Sequence, residues 1–146
     1  MASSSASFVE LLRQARQGHD YGPLTALIPS ARLFRIGLEA AEGHARCRMT
    51  YAPELVGFQS LHGGALGALL ESSALFELLL QEDTERMPRL ISLTTEFLRA
   101  GGLQDTFAQG FVTRQGRRVA NVRVEAWQQE RSRLIATAHA TFLMVP

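Results

Sequence analysis

Between Gly63 and about Leu80 the chain carries Ala65, Leu66, Ala68, Leu69, Leu70, Ala74, Leu75, Phe76 and Leu79. Apolar residues fall on nearly every face at helical spacing. The run therefore predicts a long helix buried on most sides. Glu71, Ser72, Ser73 and Glu77 interrupt it, so it reads as too short and too polar to cross a bilayer. The sequence around it is strand-like. One sheet can bury such a helix only by curling around it. This segment thus restricts the fold to α+β, an antiparallel sheet curled around a long central helix.

The flanking elements follow from periodicity. Residues 1–6 read as a floppy tail. Ser7, Phe8, Val9 and Glu10 form a capping-box pattern, Phe8, Leu11, Leu12 and Ala15 make one apolar stripe, and Gly18 offers a stop. A second short helix or turn lies between Gly22 and Pro29. Residues 1–30 thus form an N-terminal helical extension. Phe34, Ile36 and Leu38 alternate with polar or small residues, and after Ala41-Glu42-Gly43 a second alternating run ends near Tyr51. Four further strands are expected near residues 89–99, 105–114, 117–128 and 133–145. Short turns at Gly101-Gly102, Gln115-Gly116 and Glu130-Ser132 imply an antiparallel meander. Ala120, Val122, Val124 and Ala126 share its core face.

Length and charge bound the function. The 146 residues predict a single domain, 1–146. A net charge of +1 gives no reason to expect nucleic acid or an anionic membrane as partner. All 15 basic residues are arginine, so every such cation keeps its charge at any usable pH. One cysteine, Cys47, excludes an internal disulfide framework and a Cys-rich zinc site. The 4 histidines include no pair spaced i, i+4, so no metal site is expected. The start, MASSSAS, has neither a basic region nor an apolar run, which predicts a cytoplasmic protein.

The chemistry concentrates around Leu55–Gly64 and the helix that follows. Gly63 and Gly64 at a helix start leave backbone N–H groups uncovered, suited to an oxyanion or a polarised carbonyl. Glu71, two turns into an apolar helix, is expected to respond to burial with a raised pKa. A base tuned towards neutral pH beside free N–H donors fits acyl transfer to water. Structural readings stand beside these. The glycines could allow close helix packing. Glu71 could pair with an arginine across a dimer. His62, a candidate general base, could instead hold the loop through a backbone hydrogen bond. Ser72 and Ser73 read as packing residues, and His139 as a core or interface histidine.

These residues resemble the hotdog-fold acyl-CoA thioesterases, and most closely the phenylacetyl-CoA and 4-hydroxybenzoyl-CoA thioesterase type. The resemblance rests on His62-Gly63-Gly64 with Glu71 following on the helix. Leu93–Arg99, Gln115–Ala120 and Leu134–Ala138 also resemble the family's strands. It covers residues 31–145. It implies that Gly63 N–H polarises the thioester carbonyl and that Glu71 acts as nucleophile or as base on water. It further implies that the two come from opposite subunits, in a homodimer or a dimer of dimers. Arg117 and Arg118 match positions where basic residues meet the phosphates of coenzyme A. Gly64, Phe58, Gln59 and Leu75 are candidates for substrate contact. No cofactor is implied, since coenzyme A is part of the substrate.

The chain departs from the pattern in two places. Many members carry Asn or Gln where this chain has Val56, although a subgroup with a Gly-aromatic loop, similar to Gly57-Phe58, also lacks that amide. Some members carry Thr or Ser where Leu75 stands. The expected activity is acyl-CoA hydrolysis. The alternative is a non-catalytic acyl-CoA-binding module that acts as a sensor. Hydratase chemistry on the same fold would need a histidine placed differently from the acid.

Overall fold

The computed structural model describes residues 2–18, 20–81 and 86–144, with side chains from Phe8 onwards. Helix α1 (Ala2–Gly18) is followed by two short helices, α2 (Gly22–Ala26) and α3 (Pro29–Leu33), and by strands β1 (Ile36–Ala41) and β2 (His44–Met49). After a 3-10 turn at Pro53–Leu55 come α4 (Gly63–Gln81) and four strands. These are β3 (Arg89–Phe97), β4 (Thr106–Gln115), β5 (Val119–Trp127) and β6 (Leu134–Leu143). All strands join one antiparallel six-stranded sheet in the order β1-β2-β4-β5-β6-β3. The sheet wraps α4, which is the hotdog arrangement expected from the sequence.

Alternation sets the sheet's inner face. Ala120, Val122, Val124 and Ala126 of β5 are all buried, as are Ala136, Ala138, Ala140 and Phe142 of β6. They meet Leu69, Leu70, Phe76, Leu78 and Leu79 of α4, each essentially removed from solvent. Each such large side chain contributes roughly 1.5–3 kcal/mol by burial. The small residues of β5 and β6 let the helix lie close to the sheet. In the β1–β2 hairpin, Glu42 (φ 51°) and Gly43 (φ 83°) take the left-handed conformation that a tight two-residue turn needs.

Two expectations are corrected. Helix α1 starts at Ala2, so the supposed tail is helical and Ser7 is not its cap. The Ala/Ser run holds no proline or glycine to interrupt a helix. Second, β3 does not form a hairpin with β4. It pairs with β6, from Arg89↔Leu143 to Phe97↔Ala136, and only β4-β5-β6 form a meander. The segment 98–105 crosses the end of the sheet, and its two glycines serve contacts there. Gly101 O accepts from Leu61 N (3.0 Å), while Gln128 both accepts from Gly102 N (2.9 Å) and donates to Gly102 O (3.0 Å). His139 of β6, read as a core or interface histidine, is exposed in the single chain and so lies outside the core.

Helix α4 is also less enclosed than its composition suggests. Phe76, Glu77, Leu78 and Leu79 are buried in succession, but Gly63, Gly64 and Glu71 are exposed and Gly67, Ala68, Ser72 and Leu75 half-buried. The extension accounts for the difference. Helix α1 buries Leu12 and Ala15, and its Arg16 guanidinium donates to Leu79 O at 2.6 and 3.0 Å. A cation on these late carbonyls suits the negative end of the helix dipole. By length and composition alone α4 could cross a membrane, contrary to the sequence reading, but here its apolar residues face the sheet and α1.

Candidate active site

The loop before α4 is shaped by its own backbone. Gly57 N donates to Ser60 O (2.8 Å), His62 N to Leu55 O (2.8 Å), and Val56 bridges Leu61. Phe58, at the tip of this small hairpin, is 90% exposed. Gln59 is exposed beside it. The loop hands the chain to α4 at His62, whose Nδ1 accepts from Gly64 N at 2.9 Å. His62 therefore acts as the N-terminal cap, a duty usually met by Ser, Thr, Asp or Asn. A Cβ on residue 64 would lie 2.9 Å from that Nδ1, so the cap needs glycine there.

The two glycines thus differ. Gly64 N–H is satisfied by the imidazole. Nothing among the described residues accepts the Gly63 N–H, and the next amides, Ala65 and Leu66, donate to His62 O. One uncovered donor at the positive end of the helix dipole remains, where two were expected. The Phe97 ring sits beside Gly63, with its Cζ 3.6 Å from where a Cβ would stand. A cleft of about 340 Å³ opens here, lined among others by Ser60, Leu66, Phe97 and Arg99. It adjoins a polar cleft of about 240 Å³ that shares Arg99 and adds Gln104, Gln128 and Arg133.

Glu71 lies on the open stripe of α4 with Gly64, Gly67, Ala68 and Leu75. The expectation of a buried carboxyl is corrected: the apolar residues around it in sequence point to the sheet, and Glu71 points away. The carboxyl that burial does raise is Glu77, 8% exposed and pushed up to about 7. The apolar run gives no sign of which glutamate faces the sheet. Only the phase of the helix against the sheet decides that. Cys47 is buried and its thiol pushed up to about 12 by burial, so it offers no nucleophile.

Within one chain these groups do not meet. Gly63 and Glu71 are separated by about 12 Å along the helix axis at 1.5 Å per residue. Arg117 and Arg118 occupy the exposed β4–β5 turn. That turn adjoins the Arg89–Leu143 end of the sheet, whereas Gly63 packs at the Phe97 end, about 26 Å away at 3.3 Å per residue. Arg99, which lines the cleft beside Gly63, and Arg133, which lines the adjoining polar cleft, were missed in the sequence reading. The pairing of β3 with β6 brings them there, with Leu98 N and Arg99 N both donating to Ile135 O. Among the described residues no three His, Cys, Asp or Glu side chains cluster to hold a metal ion.

Solved structures share this fold. A Chromobacterium violaceum protein is 31% identical, covering 92% of this chain and 96% of its own, with a TM-score of 0.75. A Bacillus halodurans protein, solved with coenzyme A, is 18% identical, covering 99% of this chain and 93% of its own, with a TM-score of 0.75. The PaaI protein from the phenylacetic acid degradation operon of E. coli is 20% identical, covering 97% and 98%, with a TM-score of 0.72. No curated protein sequence matches the chain significantly. Residues 53–143, from the turn before the loop to the end of β6, fit the acyl-CoA thioesterase N-terminal domain, and the chain belongs to that thioesterase family.

Proposed function

We propose that the protein hydrolyses an acyl-CoA thioester to the free acid and coenzyme A, in a site completed by a second copy of the chain. The observation that carries this reading is that Gly63 and Glu71 are both exposed on the uncovered part of α4, about 12 Å apart along its axis. They are too distant to serve one carbonyl within a protomer. Two such surfaces facing each other around a two-fold axis set the Gly63 of one chain near the Glu71 of its partner. The edge of β3 supports the same assembly. Among the described residues it has no strand on its outer side, and Ile91, Phe97 and Leu98 are more than half exposed there.

In this reading the thioester oxygen accepts the Gly63 N–H. Glu71 takes a proton from water as the water oxygen attacks the carbonyl carbon. The carbon–sulfur bond then breaks, and the proton passes to the departing thiolate. Direct attack by Glu71, followed by hydrolysis of the resulting anhydride, uses the same two groups. His62 serves by fixing the loop and the helix start. Phe58 and Leu75 flank the path of the acyl group. Arg99 and Arg133 beside the cleft offer charge-assisted contacts to the coenzyme A phosphates, and Arg117 and Arg118 take that role from the partner's side. The bound coenzyme A of the Bacillus halodurans structure supports this choice of substrate.

A second reading has one observation in its favour. Leu75, half-buried one turn after Glu71, places an apolar side chain where a polar group could orient water. A binding module that senses acyl-CoA without turning it over fits that feature. Thiol release from a panel of acyl-CoA esters separates the two. Turnover that Glu71→Gln abolishes supports hydrolysis. Saturable binding without thiol release, unchanged in Glu71→Gln, supports the sensor.

A further inference from the structure

A second cavity lies away from this site, where the sheet comes apart. Strand β2 pairs with β4 only through Cys47↔Ala108, Arg48↔Phe107 and Met49↔Thr106. Beyond Ala108 the ladder stops. The side chain of Gln109, 6% exposed, bridges the gap by donating to Ala45 O at 3.2 Å. A slot of about 320 Å³ opens there, lined by His44, Glu77, Gln81, Gln109, Phe111 and Arg131 among others.

Its floor and its mouth differ in charge. The floor is Glu77 of α4, buried at 8% exposure and accepting a hydrogen bond from Gln81 Nε2. Among the described residues no arginine pairs with it, and its other close neighbours are Tyr21, Cys47 and Ser73. Room for it is built into β4. A Cβ on Gly110 would lie 2.9 Å from Glu77 Cβ and 3.0 Å from Ser73 O. The mouth carries Arg131, on the β5–β6 turn, and the exposed His44. The Arg131 guanidinium rests over Trp127 at 4.7 Å and over Phe111 at 5.6 Å, and among the described residues no carboxylate pairs with it. Glu77 is turned away from the open stripe, about 120° around the helix from Glu71, and the slot shares no lining residue with the cleft beside Gly63. The slot is therefore separate from the thioester site.

A buried acid without a cation at one end, and a fixed cation without an anion at the other, match a ligand of the opposite polarity. We propose that the slot between β2 and β4 is a second small-molecule site that takes a short linear zwitterion of amino-acid size. The ammonium group of the ligand lies against Glu77 and its carboxylate against Arg131.

The test is calorimetric titration of the full chain with ω-amino acids of increasing length, from glycine to aminohexanoate. The alkylamine and the carboxylic acid of each length serve as controls. One chain length is expected to bind best, and to bind better than either single-headed control. Glu77→Gln and Arg131→Ala are each expected to weaken it about tenfold or more, the loss of one charge-assisted hydrogen bond. Arg131 is exposed on a turn, so that variant keeps the proposal testable if the buried one folds poorly. Saturating coenzyme A should not displace the ligand. Absence of binding by every member at millimolar concentration, equal binding of the single-headed controls, or unchanged affinity in Arg131→Ala would each overturn the proposal.

Discussion

Glu71 and Glu77 are the same residue on the same helix, yet they live in opposite surroundings. Glu71 stands on a stripe that the chain leaves open, beside glycines and alanines. Glu77 is pressed against β4, with Gly110 making room for it and burial lifting its pKa to about 7. The difference separates two properties that sequence reading tends to join. A carboxyl can be raised by burial without facing any substrate path, and one that faces a shared surface can be exposed until a partner covers it. The proposed site rests on an uncovered N–H donor and an open helix face rather than on the most perturbed acid.

The largest expected effect tests this contrast directly. Glu71→Gln should lower kcat by about 10²-fold or more, the scale of a positioned base. Its denaturation midpoint should stay close to wild type, because no buried partner is lost. Glu77→Gln should do the reverse. Thiol-release kinetics and urea melts on both variants decide between the two acids. If Glu77→Gln were the inactive one, the roles assigned here would be exchanged.

Next in size is the pH dependence that Glu77 imposes. Its folded pKa of about 7 lies above the ordinary value of 4.5. In the unfolded chain the carboxyl therefore ionises first. The favourable neutral form contributes fully below pH 4.5, and the contribution is lost as pH rises to about 7. A shift of this size corresponds to roughly 3 kcal/mol. Glu77→Gln should remove that slope, gaining on wild type between pH 5 and pH 8 by about that order. Thermal melts across the range read it out, and parallel wild-type and variant curves would show that Glu77 does not titrate in this window.

Glycines sharpen the comparison further. Gly110→Ala sets a Cβ against Glu77 Cβ and the Ser73 carbonyl, and should cost about 1–3 kcal/mol as overpacking. Gly63→Ala meets only the edge of the Phe97 ring at an ordinary 3.6 Å, so it should leave stability nearly unchanged while lowering turnover. The smallest effect belongs to the cap. His62→Ala should lose about 1 kcal/mol. His62→Asn, which can also accept from the Gly64 N–H, should recover most of that loss in the melting midpoint.

Much of the architecture was legible in the sequence because it rests on period. The two-residue alternation of Ala120, Val122, Val124 and Ala126 set the inner face of β5, and the apolar run set α4. The partner of β3 was not legible. Gly101-Gly102 looks like a tight turn, yet its contacts with Leu61 and Gln128 lie far off in the chain. Arg99 and Arg133 were missed for the same reason, since only the β3–β6 pairing brings them to the two adjoining clefts at the Gly63 end. The motif His62-Gly63-Gly64 was legible as a helix start, but its division of labour, one glycine for a cap and one for an open donor, depends on an imidazole rotamer. Which glutamate faces the sheet depends on helix phase, which an all-apolar run conceals.

The short ladder between β2 and β4 has a consequence for how the molecule opens. Only three residue pairs join the β1–β2 hairpin to the rest of the sheet, while β4, β5, β6 and β3 pair along nearly their whole length. The hairpin is therefore the seam along which a cooperative unit can detach without global unfolding, held mainly by the packing of Ile36, Cys47 and Met49. Amide protons of β1 and β2 should exchange by such a partial opening, at a lower free energy than those of β5, and earlier than the loss of the α4 core. Breathing of that seam would give solvent intermittent passage to the inner end of α4, independently of any event on its open stripe.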